Sequence, residues 1–277
     1  MVGDSTMMHQ FGVICSFLST REGIHFNPEE HLGQYPGCCI DTTPGGGRGL
    51  CFRYKWWKFL DRHRYRHLEA DVVYFNSGLH LLHMSPNHVP TTEQVQRWLT
   101  YEDDLEAVVE IMRQNSAYLA KLIFMTSHTI DERKYEGQFV DIIKGYKAQE
   151  ANLTNTCREQ VYDKAQGVAG SGLYTLDTIC EQGLLDRDGS DTLNRRARAT
   201  LTQLGIPMVE ADLLTRDQGK HFSQMGDGRH FYSIVPLEVF TLLSVITAKH
   251  TQPPPSYSTP GATQKIEMKI DVGDHSD

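Results

Sequence analysis

A three-layer α/β/α sandwich, with a mainly parallel sheet of about five strands between two layers of helices, is the fold the sequence predicts. Two kinds of observation carry that expectation. Asp71-Val72-Val73-Tyr74-Phe75-Asn76 and Ala120-Lys121-Leu122-Ile123-Phe124-Met125-Thr126 are compact apolar runs of buried-strand length, each followed at once by polar groups. Leu105, Val108, Val109 and Met112 form a single apolar stripe at helical spacing, and Leu193, Ala197, Leu201 and Leu204 form another. At 277 residues, 39% hydrophobic and 22% charged, the chain is long enough for one large core. Residues 1–250 therefore read as one domain, and residues 251–277, opening with Pro253-Pro254-Pro255, as a linker and tail.

Taken in order, Met1 and Val2 are what remains of a first strand if Gly3-Asp4-Ser5 follows it, which suggests an upstream truncation. Met7 to Leu18 suits a helix packed on a sheet. Residues 20–49, ending in Thr43-Pro44-Gly45-Gly46-Gly47, read as a long loop. Leu50 to Trp57 alternates apolar or aromatic with basic residues and reads as one strand. Residues 58–68 suit a short helix, and from Thr91 the pattern is helical. Between 130 and 190 a helix is expected around 148–165, among glycine-punctuated loops. The 193–204 stripe is expected to start at an Asp191 cap and to stop at Gly205, before a short strand from Ile206 to Ala211. Val239, Leu242, Leu243 and Ile246 stripe a last helix that begins near Pro236, where proline is tolerated in a first turn.

With 27 basic and 35 acidic residues the net charge is −8, which provides no general attraction for nucleic acid or an anionic membrane. The basic run Arg62-His63-Arg64-Tyr65-Arg66-His67 reads as a solvated helix face. No run of about 18 apolar residues occurs, so a membrane role would need an anchor upstream of this sequence. Six cysteines are too few for a disulfide scaffold. Cys38 or Cys39 is placed to close onto Cys51, while Cys15, Cys157 and Cys180 read as buried thiols. With the acceptor pattern Asn152-Leu153-Thr154, this leans towards the secretory pathway, the Golgi lumen or the extracellular space.

The chemistry-bearing residues sit just after predicted strands, where a parallel sheet gathers polar groups outside the carboxyl ends of its strands. Ser5 is a candidate nucleophile. A serine hydroxyl is a poor nucleophile at neutral pH and needs a base within hydrogen-bond reach. His230 supplies an imidazole, a side-chain type suited to take that proton and return it to a leaving alcohol. Asp227, three residues away, can fold back to hold the other imidazole nitrogen. Developing negative charge needs donors worth about 3 kcal/mol each. The amide of Ser5 and the side chain of Asn76 are candidates, with Gly78 or Gly45 to Gly47 for a third. Ser127 and His128 either line the substrate crevice or serve structurally, and Arg229 suits either a substrate contact or a salt bridge. His80, His83 and His88 read as loop histidines rather than metal ligands, because no second set of acidic ligands accompanies them. Trp56 and Trp57 read as core or interface. No metal and no cofactor is expected.

Gly3-Asp4-Ser5, Asn76-Ser77-Gly78-Leu79-His80 and Asp227-Gly228-Arg229-His230, in this order, resemble the SGNH or GDSL-like hydrolase superfamily. The resemblance is to its PC-esterase branch of polysaccharide O-acetyltransferases and neurexophilin-like esterase domains, and it covers roughly residues 1–248. It implies a flavodoxin-like sheet and a catalytic set of Ser5, Asp227 and His230, with oxyanion donors from Ser5 and Asn76. It also implies an esterase or acyltransferase acting on O-acyl, typically O-acetyl, esters, with an acylated glycan or other small ester as partner. No glycine occurs between Trp57 and Asn76, where the family pattern has one. A binding protein that keeps the fold without turnover is the alternative function, and a metal-dependent phosphoesterase a third.

Overall fold

The computed structural model describes residues 1–22, 37–40, 50–82, 91–115, 121–136, 140, 185–218 and 228–248. The helix expected at 148–165, the tail after 250, Asp227, His83, His88 and Gly45 to Gly47 lie outside these residues.

Strands β1 (Val2–Gly3), β4 (Lys55–Trp56), β5 (Val72–Phe75), β6 (Lys121–Met125) and β7 (Met208–Val209) form a five-stranded sheet in the order β4-β1-β5-β6-β7. Every neighbouring pair is parallel. Counted along the chain within the sheet this is 2-1-3-4-5, the flavodoxin-like doubly wound order. The chain moves from β1 outward to β4 and then crosses back over β1 to reach β5. The switch point therefore lies above the carboxyl ends of β1 and β5.

Alternation along the strands builds one core on each face. Val73, Phe75, Leu122 and Phe124 point to one side, where they meet α2 (Arg62–Tyr65), α3 (Thr92–Leu99), α4 (Tyr101–Asn115) and α5 (Arg187–Gln203). Tyr74, Ile123, Met125 and Val209 point to the other, against α1 (Ser5–Glu22), the first residue of the short α6 (Ala211–Thr215) and α7 (Val235–Thr247). Leu105, Val108, Val109 and Met112 are all buried, as their spacing predicts. Gly205 ends α5 at φ +66°, where a side chain would be strained.

Three expectations are corrected. Leu50 to Trp57 is not one strand: β3 (Leu50–Phe52) pairs antiparallel with β2 (Cys38–Ile40) in a separate ribbon, and only β4 joins the sheet. Tyr54, between them, stacks on Phe11 of α1. Helix α5 is capped five residues earlier than expected, by Asp186, whose carboxylate accepts from the Gly189 amide at 2.8 Å. Asp191 lies inside the helix and pairs with Arg216. Cys15 is not a free thiol but is disulfide-bonded to Cys38, tying α1 to the ribbon across 23 residues. Closing a loop of that length stabilises by about 3 kcal/mol. Cys51, opposite Cys39 in the ribbon, is also disulfide-bonded.

Candidate active site

Strand β1 passes directly into α1, so Gly3, Asp4 and Ser5 stand at the switch point and Ser5 opens the helix. Asp4 caps α1: its carboxylate accepts from the Thr6 amide at 3.0 Å and the Thr6 hydroxyl at 2.5 Å. Burial would raise the Asp4 carboxyl, but the charge of His80 and the hydrogen bonds from Thr6 and Asn76 hold it below its usual range. The Tyr54 hydroxyl, at 3.0 and 2.8 Å from the carbonyls of Gly3 and Asp4, clamps the same turn from the β4 side.

Asn76, at the end of β5, clamps it from the other side. Its carbonyl oxygen accepts the Asp4 amide at 3.2 Å, and its amide nitrogen donates to Asp4 Oδ1 at 3.4 Å and Thr6 Oγ1 at 3.3 Å. The side chain is buried and turned towards residues 4 and 6, so it braces the serine turn. Serving as an oxyanion donor would require its amide to turn. The brace explains Gly3, because a Cβ there would stand 1.8 Å from Asn76 Oδ1. Gly3→Ala is expected to displace Asn76, lower stability by about 1–3 kcal/mol and slow any reaction at Ser5. Thermal melting and Ser5 labelling of the variant check this, and wild-type values for both would refute it.

His230 arrives from the opposite end of the chain. Its Nε2 lies 2.7 Å from Ser5 Oγ, within reach of a proton transfer. Gly228, two residues before, has φ +62°, and a Cβ there would stand 2.3 Å from the Asp131 carbonyl oxygen. The Asp131 amide donates to the Gly228 carbonyl at 2.9 Å. Only glycine allows this close approach, which pins the His230 loop to the segment after β6. His9 and Tyr232 stand beside the imidazole, their ring centroids 5.0 and 6.3 Å from it. Ser5 remains partly accessible.

Two residues expected near substrate are inside the protein. Ser127 is buried, with its backbone amide donating to Asn194 Oδ1 at 2.8 Å and its carbonyl accepting from Asn194 Nδ2 at 2.9 Å. A side chain at Gly78, itself buried, would collide with Ser127 Oγ at 2.6 Å. His128 is 1% exposed, so it is walled off from a bound ligand. Its Nδ1 donates to the Arg229 carbonyl at 2.9 Å and its Nε2 meets Glu238 Oε1 at 2.7 Å. The Arg229 side chain is half-buried and lies in the electrostatic neighbourhood of His80. Trp57 packs against the core, whereas Trp56 is 39% exposed with its ring 6.0 Å from His80.

Burial alone would lower the His128 imidazole, but the charge and hydrogen bond of Glu238, with the Arg229 carbonyl, raise it above its ordinary value. Because the folded value is the higher one, the pair's stabilisation is fully present below about pH 6.5 and is lost as pH rises through the folded value. Denaturant titrations across this range are expected to show that alkaline loss in wild type and its absence in His128→Gln. Equal slopes would refute it.

The sequence reading missed Glu238, Gln10 and Tyr54. Glu238 and Gln10 are polar groups within apolar stretches, such as Val235-Pro236-Leu237-Glu238-Val239-Phe240, and a buried acid in a helix of that composition needs a partner, whereas Tyr54, between Arg53 and Lys55, carries no such signal. Among the described residues no cluster of three or more His, Cys, Asp or Glu is arranged to hold a metal ion. No described helix is long and apolar enough to cross a membrane. No protein-family model matches the chain, and no curated protein matches it.

Proposed function

We propose that the protein is a serine esterase or acyltransferase of SGNH type, working through an acyl-enzyme at Ser5 on small O-acyl esters, chiefly O-acetyl esters of a glycan. The observation that carries this reading is the 2.7 Å contact between Ser5 Oγ and His230 Nε2 at the switch point of a doubly wound sheet. The PC-esterase resemblance of Gly3-Asp4-Ser5, Asn76 and the 227–230 segment supports the acyl group and the alcohol.

In this mechanism the Ser5 hydroxyl gives its proton to His230 Nε2 as Oγ attacks the ester carbonyl. Negative charge then develops on the former carbonyl oxygen beside the first amide of α1. There the helix has an amide without an intrahelical acceptor and the positive end of its dipole. Collapse of the tetrahedral intermediate breaks the bond to the alcohol, which leaves with the proton from His230. Water or a second hydroxyl, deprotonated by the same imidazole, resolves the acyl-enzyme and restores Ser5. Asp227 is the proposed orienting carboxylate. The Cys15–Cys38 disulfide supports an oxidising compartment, hence the secretory pathway.

A fluorophosphonate probe tests the reading. Covalent labelling of wild type that disappears in Ser5→Ala, together with release of acetate from acetylated glycans, is expected. Well-folded protein that takes up no label would reject the serine mechanism and favour a binding role for the same fold.

A further inference from the structure

We propose that Gln10, Glu238 and His128 form a buried strut that sets the separation of Ser5 and His230. Gln10 lies on α1, five residues after Ser5, and its Nε2 donates to Glu238 Oε2 at 2.6 Å. Glu238 lies in the first turn of α7, and its other oxygen meets His128 Nε2 at 2.7 Å. His128 follows β6, and its Nδ1 donates at 2.9 Å to the carbonyl of Arg229, the residue before His230. The path thus runs from the helix that carries the serine to the loop that carries the imidazole. The Ser5–His230 contact closes it into a ring.

Stereochemistry leaves this path little freedom. A carbonyl only accepts, so His128 Nδ1 must carry hydrogen, and the remaining proton is shared between Nε2 and the Glu238 carboxylate. The carboxylate then accepts from both sides, one oxygen per partner. Gln10 and Glu238 have no exposed surface and His128 has 1%, so water offers none of them a substitute partner. Burying an acid and an imidazole is a poor route to stability, since an apolar pair of the same volume does as well or better. What the polar pair adds is direction: each bond fixes an angle between elements that apolar packing would let slide. Nothing in the strut touches the reacting atoms, so its members are positioning residues.

The inference uses the esterase reading only for its kinetic readout. The experiment measures the rate of Ser5 labelling by a fluorophosphonate per folded molecule, and the crystallographic Ser5 Oγ to His230 Nε2 distance, in wild type, Glu238→Gln and Gln10→Met. Displacements near 1 Å cost about 100-fold in rate. Labelling is therefore expected to slow by about 100-fold in Glu238→Gln and about 10-fold in Gln10→Met, with probe affinity unchanged and the contact opened beyond hydrogen-bond distance. Should Glu238→Gln fail to fold, Gln10→Met, which leaves the acid–imidazole pair intact, decides. A folded variant that labels at the wild-type rate with the contact intact overturns the strut. If wild type does not label and the contact still opens in the variants, the esterase reading falls and the strut stands.

Discussion

His230→Ala is expected to reduce turnover and Ser5 labelling by about 10,000-fold, or about 5 kcal/mol of transition-state stabilisation. The imidazole is asked to accept the Ser5 proton as the new bond forms and to deliver it as the old one breaks. Both steps pass through the single 2.7 Å contact. Alanine removes the base without disturbing Asp4, Thr6, Tyr54 or Asn76, which hold the serine turn independently of His230. The loss should therefore fall on kcat, with KM nearly unchanged, and the melting temperature should change little. Stopped assays on an acetyl ester, with Ser5→Ala as the floor, check this. More than a tenth of wild-type turnover in a folded His230→Ala protein would place the base elsewhere.

Arg196→Met is expected to cost about 3–5 kcal/mol of folding stability, the effect of leaving one member of a buried ion pair without its partner. The Arg196 side chain is fully buried in α5, and its Nε and Nη2 donate to the two Glu102 oxygens at 2.6 Å each. Nη2 also donates to the Trp98 carbonyl at 2.7 Å. The guanidinium lies 4.8 Å from the Trp98 ring centroid and 5.4 Å from that of Tyr101, so it is also packed between aromatic faces. Methionine keeps much of the apolar stem and strands the Glu102 carboxylate. Arg196→Met with Glu102→Leu should recover most of the loss, because no charge is then left uncompensated. Urea denaturation of the single and double variants measures both values. A single-variant cost below about 1 kcal/mol would show the pair to be no more than a surface bridge.

Much of the fold could be read from local pattern. The 72–75 and 121–125 strands, the 105–112 stripe and the Gly205 stop are each set within a few residues by apolar spacing or by a backbone requirement. The failures fall where a local pattern fits two partners. Leu50 to Trp57 alternates throughout, and only the positions of β2 and β1 decide that half of it pairs with each. Local pattern placed the α5 cap at Asp191, but the Gly189 amide is held by Asp186 instead.

The site divides the same way. Ser5 and His230 were legible because Gly3-Asp4-Ser5 and Asp227-Gly228-Arg229-His230 carry a nucleophile and a base in the order the resemblance implies, and because alternating strands and helices imply a parallel sheet that gathers polar groups at its strand ends. The strand-end rule could not tell an exposed group from a buried one. Ser127 and His128 obey it as well as Ser5 does, yet both are buried: Asn194 bonds the Ser127 backbone, and Glu238 and the Arg229 carbonyl hold the His128 ring. The sequence by itself determined a parallel α/β sandwich and the two residues that meet at its switch point. Only the tertiary structure decided that Asn76 braces the serine turn and that a glutamate from the last helix holds the histidine beneath the loop. Those roles depend on partners 72 and 110 residues away, and no local periodicity encodes such a distance.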